Sequence, residues 1–210
     1  MNLKNYIPKD QRKKILFISD DMRFHSGIAN ITKEIVLGTS HHFNWVQMGG
    51  AINHPQKGQR FDLSEETNKL MGIDDASVFI YPVDGYGDVN ILRQVINLEK
   101  PDALFLMGDP RYMTWLFQIE NEIRKQIPIT WLQIWDSMFP YSLWNKPYYE
   151  SCDMLLGISK QTVNGNKVIL GDKSKDKLIK YIPHGLDSNI FKPLDEIYPQ
   201  LIQFKKQLFG

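Results

Sequence analysis

The chain has 210 residues, 42% hydrophobic and 23% charged, a composition that excludes a disordered tail, a collagen-like fibre and a coiled coil. Basic residues number 25 and acidic residues 24, so the net charge of +1 gives no reason to expect a nucleic-acid partner. The length fits one large domain, or a domain and a fragment, with core enough to fold without a disulfide or metal staple. The single cysteine, Cys152, excludes an internal disulfide and fits a reducing compartment. No apolar run approaches the roughly 18 residues of a membrane-spanning helix. Residues 1–14 are polar and basic, without the apolar centre of a signal peptide. The expected location is cytoplasmic. The basic group Lys4, Lys9, Arg12, Lys13 and Lys14 reads either as a solvated tail or as a peripheral membrane contact.

Taken in chain order, residues 15–20 (Ile-Leu-Phe-Ile-Ser-Asp) read as a buried parallel strand closing on acidic residues. A loop through His25-Ser26-Gly27 follows, then apolar positions 28, 31 and 35 at helical spacing. Residues 43–48 form a second strand, 51–76 a polar loop with a short helix at 64–71, and 77–83 a third strand. The cluster Asp84-Gly85-Tyr86-Gly87-Asp88 is a turn that can cap a helix over 89–98. The rhythm then repeats, with a strand at 102–107 ending on Gly108-Asp109-Pro110 and a continuous helix over 111–126. A strand at 129–134 ends on Trp135-Asp136, and an aromatic loop with a short helix covers 143–152. A strand at 154–158 ends on Ser159-Lys160, a helix runs to about 170, and a last strand at 178–182 ends on Pro183-His184-Gly185. This alternation predicts an α/β, Rossmann-like, mostly parallel sheet with helices on both faces.

In such sheets ligands bind beyond the carboxyl ends of the strands, near the point where strand order reverses. The unusual residues of this sequence fall there. Gly27 opens a predicted helix, and reads either as a close-approach glycine beside free N–H groups or as an ordinary turn glycine. Asp20, Asp21, Asp109 and Asp136 read as acid/base or hydroxyl-binding groups, or as helix caps. Neither a dinucleotide fingerprint nor a P-loop is present. His41-His42 lacks partners at metal-ligand spacing and reads as surface loop. The aromatic stretch Trp131, Trp135, Tyr141, Trp144, Tyr148 and Tyr149 suits packing, with a sugar-stacking platform as the functional alternative. Cys152 reads as an inert, partly buried thiol.

Four stretches over about residues 13–193 carry a family resemblance. They are Lys14-Ile15-Leu16-Phe17-Ile18 with His25-Ser26-Gly27-Ile28-Ala29, and Pro101-Asp102-Ala103-Leu104-Phe105-Leu106-Met107-Gly108-Asp109-Pro110. The third is Cys152-Asp153-Met154-Leu155-Leu156-Gly157-Ile158-Ser159-Lys160. The fourth and most specific is Tyr181-Ile182-Pro183-His184-Gly185-Leu186-Asp187 with Phe191-Lys192-Pro193. In order and spacing the chain resembles the N-terminal domain of retaining GT-B glycosyltransferases, the group 1, family-four type that includes sucrose and mannosyl transferases.

The resemblance implies an acceptor-side domain over residues 1–193, and a linker and helix over 194–210 leading toward a donor-binding domain in the same or another chain. It implies transfer of a sugar from a nucleotide-sugar donor to an acceptor hydroxyl, with no metal and no cofactor. Gly27, with His25 and Ser26, would line the cleft. Asp109 and Asp136 would contact sugar hydroxyls or assist proton transfer as the catalytic carboxylates. Trp135 and Lys160 would contact substrate, and His184 and Gly185 would shape the cleft floor near the hinge. Family members carry a histidine after the fifth strand. Here Trp135 or Asp136 holds that place, and indole cannot act as the acceptor an imidazole provides. Two other readings compete: a non-catalytic module that binds a glycan or protein, and a nucleotide-sugar epimerase of the same architecture.

Overall fold

The computed structural model describes residues 6–134, 142–186, 191–193 and 198–209. The expectations placed on Trp135, Asp136, Tyr141 and Asp187 lie outside the described residues.

The apolar run after Lys13-Lys14 forms β1 (Lys13–Asp20), which pairs in parallel on both sides. One neighbour is β2 (Phe43–Ala51), with Asp20 opposite Gly50; the other is β5 (Ala103–Met107), with Ile15 opposite Ala103. Beyond β2 lies β4 (Val78–Asp84), and beyond β5 lie β6 (Ile129–Gln133), β7 (Met154–Gly157) and β8 (Leu178–Tyr181), all parallel. A two-residue strand, β3 (Phe61–Asp62), adds an antiparallel edge next to β4, giving the order β3-β4-β2-β1-β5-β6-β7-β8. Strand order therefore reverses between β1 and β5. This is the doubly wound arrangement that the alternation predicts, with β3 as a small addition that two residues could not announce.

The side chains of β1 alternate between two cores. Leu16 and Ile18 enter one with Val46, Met48, Leu104, Leu106 and Trp131, under α3 (Val89–Glu99). Phe17 enters the other with Trp45, Val78, Ile80 and Leu132, beside α1 (Gly27–Thr39). Each fully buried aliphatic or aromatic side chain here contributes about 1.5–3 kcal/mol. The remaining helices are α2 (Ser64–Met71), α4 (Thr114–Phe117), α5 (Glu120–Arg124), α6 (Lys146–Glu150), α7 (Lys160–Leu170) and α8 (Pro199–Phe209).

Several expectations change. The helix expected over 111–126 is broken into a 3-10 turn (Pro110–Met113), α4 and α5. Asp109 caps the 3-10 turn, and Ile119 leaves helical geometry at φ −113°, ψ 18°. Met113, Leu116, Phe117 and Ile123 still reach the core, which is why their spacing resembled one helix. Three members of the basic N-terminal group are held in ion pairs. Arg12 is buried against Asp75 at 2.5 Å, Lys13 pairs with Asp102 at 2.7 Å and Lys14 with Glu99 at 3.2 Å. His41 is buried rather than on a surface loop, its ring 4.1 Å from that of His42, and burial pushes its pKa down. Cys152 is wholly buried, and burial pushes its thiol pKa well up. Trp131 and Tyr149 are core residues, whereas Trp144 is exposed. Among the described residues no helix is long and apolar enough to cross a membrane.

Candidate functional site

At the carboxyl ends of β1, β2 and β4, beside the β1–β5 boundary where strand order reverses, the surface opens into a cleft of about 480 Å³. Its floor is the carboxylate of Asp20. One oxygen accepts the Ser26 hydroxyl at 2.6 Å and the other accepts the Tyr86 phenol at 2.7 Å. Ser26 is fixed because it caps α1: its Oγ accepts the Ala29 N–H at 2.9 Å. Gly27 and Ile28 then present the remaining N–H groups of the first turn.

Tyr86 reaches Asp20 because Gly85 and Gly87 flank it at φ 54° and φ 89°, in the left-handed region where side chains are disfavoured. A Cβ on Gly87 would also strike the Met48 methyl at 2.6 Å. Beneath the ring, Gly50 is bare; a Cβ there would stand 2.7 Å from the Tyr86 ring. Burial and the Asp20 carboxylate push the Tyr86 phenol pKa up, so it remains a donor. The walls are Phe24, Ala51, Ile52 and Tyr112, with His25 at the mouth. The Tyr86 and Tyr112 rings lie 6.2 Å apart.

A polar network holds the β1–α1 loop from behind. Gln47, buried on β2, donates to the Asp20 carbonyl at 2.7 Å and to Ser19 Oγ at 3.0 Å, and accepts the Met22 N–H at 3.2 Å. Thr32 of α1 donates to Ser19 Oγ at 3.0 Å. Asp21 is fully buried and takes Arg23 in two-pronged fashion, at 2.9 Å and 2.6 Å. Its second oxygen also accepts His54 Nε2 at 2.9 Å. His54 Nδ1 accepts the Gln56 N–H at 3.1 Å, so the ring proton sits on Nε2. Burial raises the Asp21 pKa, but the Arg23 and His54 hydrogen bonds outweigh it, and the net shift is downward. Phe24 stacks on the His54 ring at 4.8 Å, so this brace aims one wall of the cleft.

Of the residues singled out in the sequence, His25 and Ser26 line the cleft, and Gly27 begins the helix beside them. Asp109 stands at the end of β5 but is held by Arg111, through contacts of 2.9 Å and 2.5 Å. Burial pushes its pKa up and Arg111 more than reverses this, so Asp109 stays ionised. Lys160 is the exposed first residue of α7 and does not line the cleft. Exposed His184 and Gly185 follow β8, four strands from β1, or about 19 Å at the usual strand spacing. Among the described residues no group of three or more His, Cys, Asp or Glu side chains gathers as a metal site. Tyr86, Tyr112, Phe24, Ile52 and His54 were not singled out individually. The one sequence feature pointing to any of them is Tyr86 between two glycines just past a strand.

Fold and cleft together define a Rossmann-like α/β domain with a polar-floored site at its switch point. No protein-family model matches the chain, and no curated protein matches it. Among solved structures it is similar to Medicago truncatula UGT71G1 complexed with UDP-glucose, at TM-score 0.48 and 13% identity. That match covers 94% of this chain and 58% of that one, so the chain spans little more than half the length of the solved structure.

Proposed function

We propose that residues 1–193 are the acceptor-side domain of a retaining, metal-independent GT-B glycosyltransferase, and that 194–210 lead toward a donor-binding domain. The observation that carries this reading is the Asp20 carboxylate, held open at the switch point by Ser26 and Tyr86. Each Asp20 oxygen keeps lone-pair capacity for an incoming hydroxyl. Gly27 supports the same reading. A Cβ there would meet nothing within 4 Å, so the fold itself does not demand a glycine at this position.

In the reaction, the acceptor hydroxyl oxygen bonds to the anomeric carbon of the donor sugar as the bond to the nucleoside diphosphate breaks. The hydroxyl proton passes to the departing diphosphate on the same face, which retains the anomeric configuration. Asp20 orients the acceptor hydroxyl. Among the described residues no lysine or arginine lines the cleft, so the diphosphate would be stabilised by the donor-binding domain. Asp109, kept ionised by Arg111, would accept hydrogen bonds from sugar hydroxyls rather than give up a proton. Lys160, His184 and Gly185 follow parallel strands at the same edge of the sheet, where a second domain would close.

The test is transfer and hydrolysis on a panel of UDP- and GDP-sugars, with the chain alone and with the polypeptide encoded directly downstream. Turnover only with both parts, with a product of retained configuration by NMR, is the expected result. A folded chain that supports no turnover in either case would overturn the reading. It would favour a non-catalytic binding module, a second reading that rests on the prior engagement of Asp20 and Asp109 by other side chains.

A further inference from the structure

We infer that the cleft takes a neutral, largely apolar ring compound carrying a hydroxyl, rather than a sugar or an anionic acceptor. The inference rests on the acceptor-site reading above and adds the substrate class. Three observations support it.

The first is charge. Among the described lining residues there is one carboxylate, Asp20, and one imidazole, His25, and no lysine or arginine. The nearby cations Arg23, Lys57 and Arg111 each face a carboxylate, Asp21, Asp84 and Asp109, at 2.6 Å, 2.5 Å and 2.5 Å. A phosphate or carboxylate would therefore meet the Asp20 carboxylate with no lysine or arginine among the described lining residues, and only the N–H groups of the first turn of α1 to offset it.

The second is hydrogen-bonding capacity. The Ser26 proton is committed to Asp20 and its oxygen already accepts Ala29 N–H. The Tyr86 proton is committed as well. The floor can receive one or two hydroxyls; the other polar side chains of the lining are His25 and Tyr112, so several hydroxyls of a sugar ring would be set against Phe24, Ala51 and Ile52. Each buried unpartnered hydroxyl is costly, which selects against polyols.

The third is the wall. Ile52 is 89% exposed and Tyr112 66% exposed, both bordering the cleft. With the Tyr86 and Phe24 rings they offer flat apolar surface that a fused-ring or aromatic body would cover. The volume of about 480 Å³ lies in the range of small-molecule sites.

Titration calorimetry on the 210-residue chain tests this with three probes: 2-naphthol, 2-naphthyl phosphate and maltose. The expected order is 2-naphthol bound at least tenfold more tightly than 2-naphthyl phosphate, and maltose weakest. Ile52→Asp, at an exposed position that leaves the fold intact, should weaken 2-naphthol at least fivefold, and Tyr112→Ala should do likewise. Maltose binding as tightly as 2-naphthol, preference for the phosphate ester, or 2-naphthol binding indifferent to both substitutions would each overturn the inference. Its failure is separable from failure of the transferase reading. A sugar-accepting transferase would pass the turnover assay and fail here. A binding module for apolar compounds would pass here and fail the turnover assay.

Discussion

Replacing Asp21 with asparagine removes one negative charge and one acceptor from the brace behind the cleft, with almost no change of volume. Asp21 accepts the Arg23 N–H and Nε–H on one oxygen, and Arg23 Nη2 and His54 Nε2 on the other. An asparagine amide nitrogen placed on either side would face two donors. Breaking a fully buried ion pair costs about 3–5 kcal/mol. Arg23 is 24% exposed, so water recovers part of its solvation and the asparagine oxygen keeps half the contacts. The expected loss is about 2–3 kcal/mol at pH 7. In a chain of this length that lowers the thermal midpoint by roughly 4–12 °C. The pH dependence has a definite sign. The native pKa of Asp21 is depressed, so its stabilisation is fully present above the unfolded value of about 4 and is lost as pH falls through the native value. The variant lacks this dependence, so the two proteins should converge on acidification. Urea unfolding at pH 7 and at pH 3.5 measures both effects. A variant within about 0.5 kcal/mol of the parent at pH 7, or a gap that does not narrow with acid, would refute a buried, ionised Asp21.

Three further outcomes are expected. Gly27→Ala should leave stability unchanged or raise it by up to about 1 kcal/mol, because its methyl enters open space; paired urea melts and transfer assays should then show a loss confined to transfer. Cys152 is buried with its thiol pKa pushed up, so a thiol reagent should label it at the rate of unfolding, and fast labelling in native buffer would contradict this. Gln133 Nε2 and Asn166 Oδ1 are buried and unpartnered among the described residues, although the two side chains bond each other through their remaining polar atoms. Gln133→Met or Asn166→Leu alone should cost about 1–3 kcal/mol in a denaturation series, and the pair together less than the sum.

The sheet was legible in the sequence because most of its parallel strands are short apolar runs closed by Asp, Gly or Ser, a pattern that needs no distant information. Asp20, His25 and Ser26 were legible for the same reason: Asp20 ends β1, and the other two lie in the loop that follows it. Tyr86 was not. Its hydrogen bond to Asp20 joins residues 66 positions apart, and only the order of strands brings them together. The same holds for His54, which meets Asp21 across a loop whose composition reads as polar and irregular. Tyr112 was placed on a regular helix, and it lies in a tight turn because Asp109 and Pro110 start the segment differently.

The central position of β1 also bears on the order of assembly. Its β2 edge can be satisfied by chain that follows soon after, but Ile15 waits for Ala103 on the other edge. During synthesis the central strand, with Leu16, Phe17 and Ile18 destined for the core, therefore stays open on one side until β5 leaves the ribosome. Nascent chains arrested before β5 should engage chaperones through the open β1 edge, and in those arrested beyond it that edge should be covered.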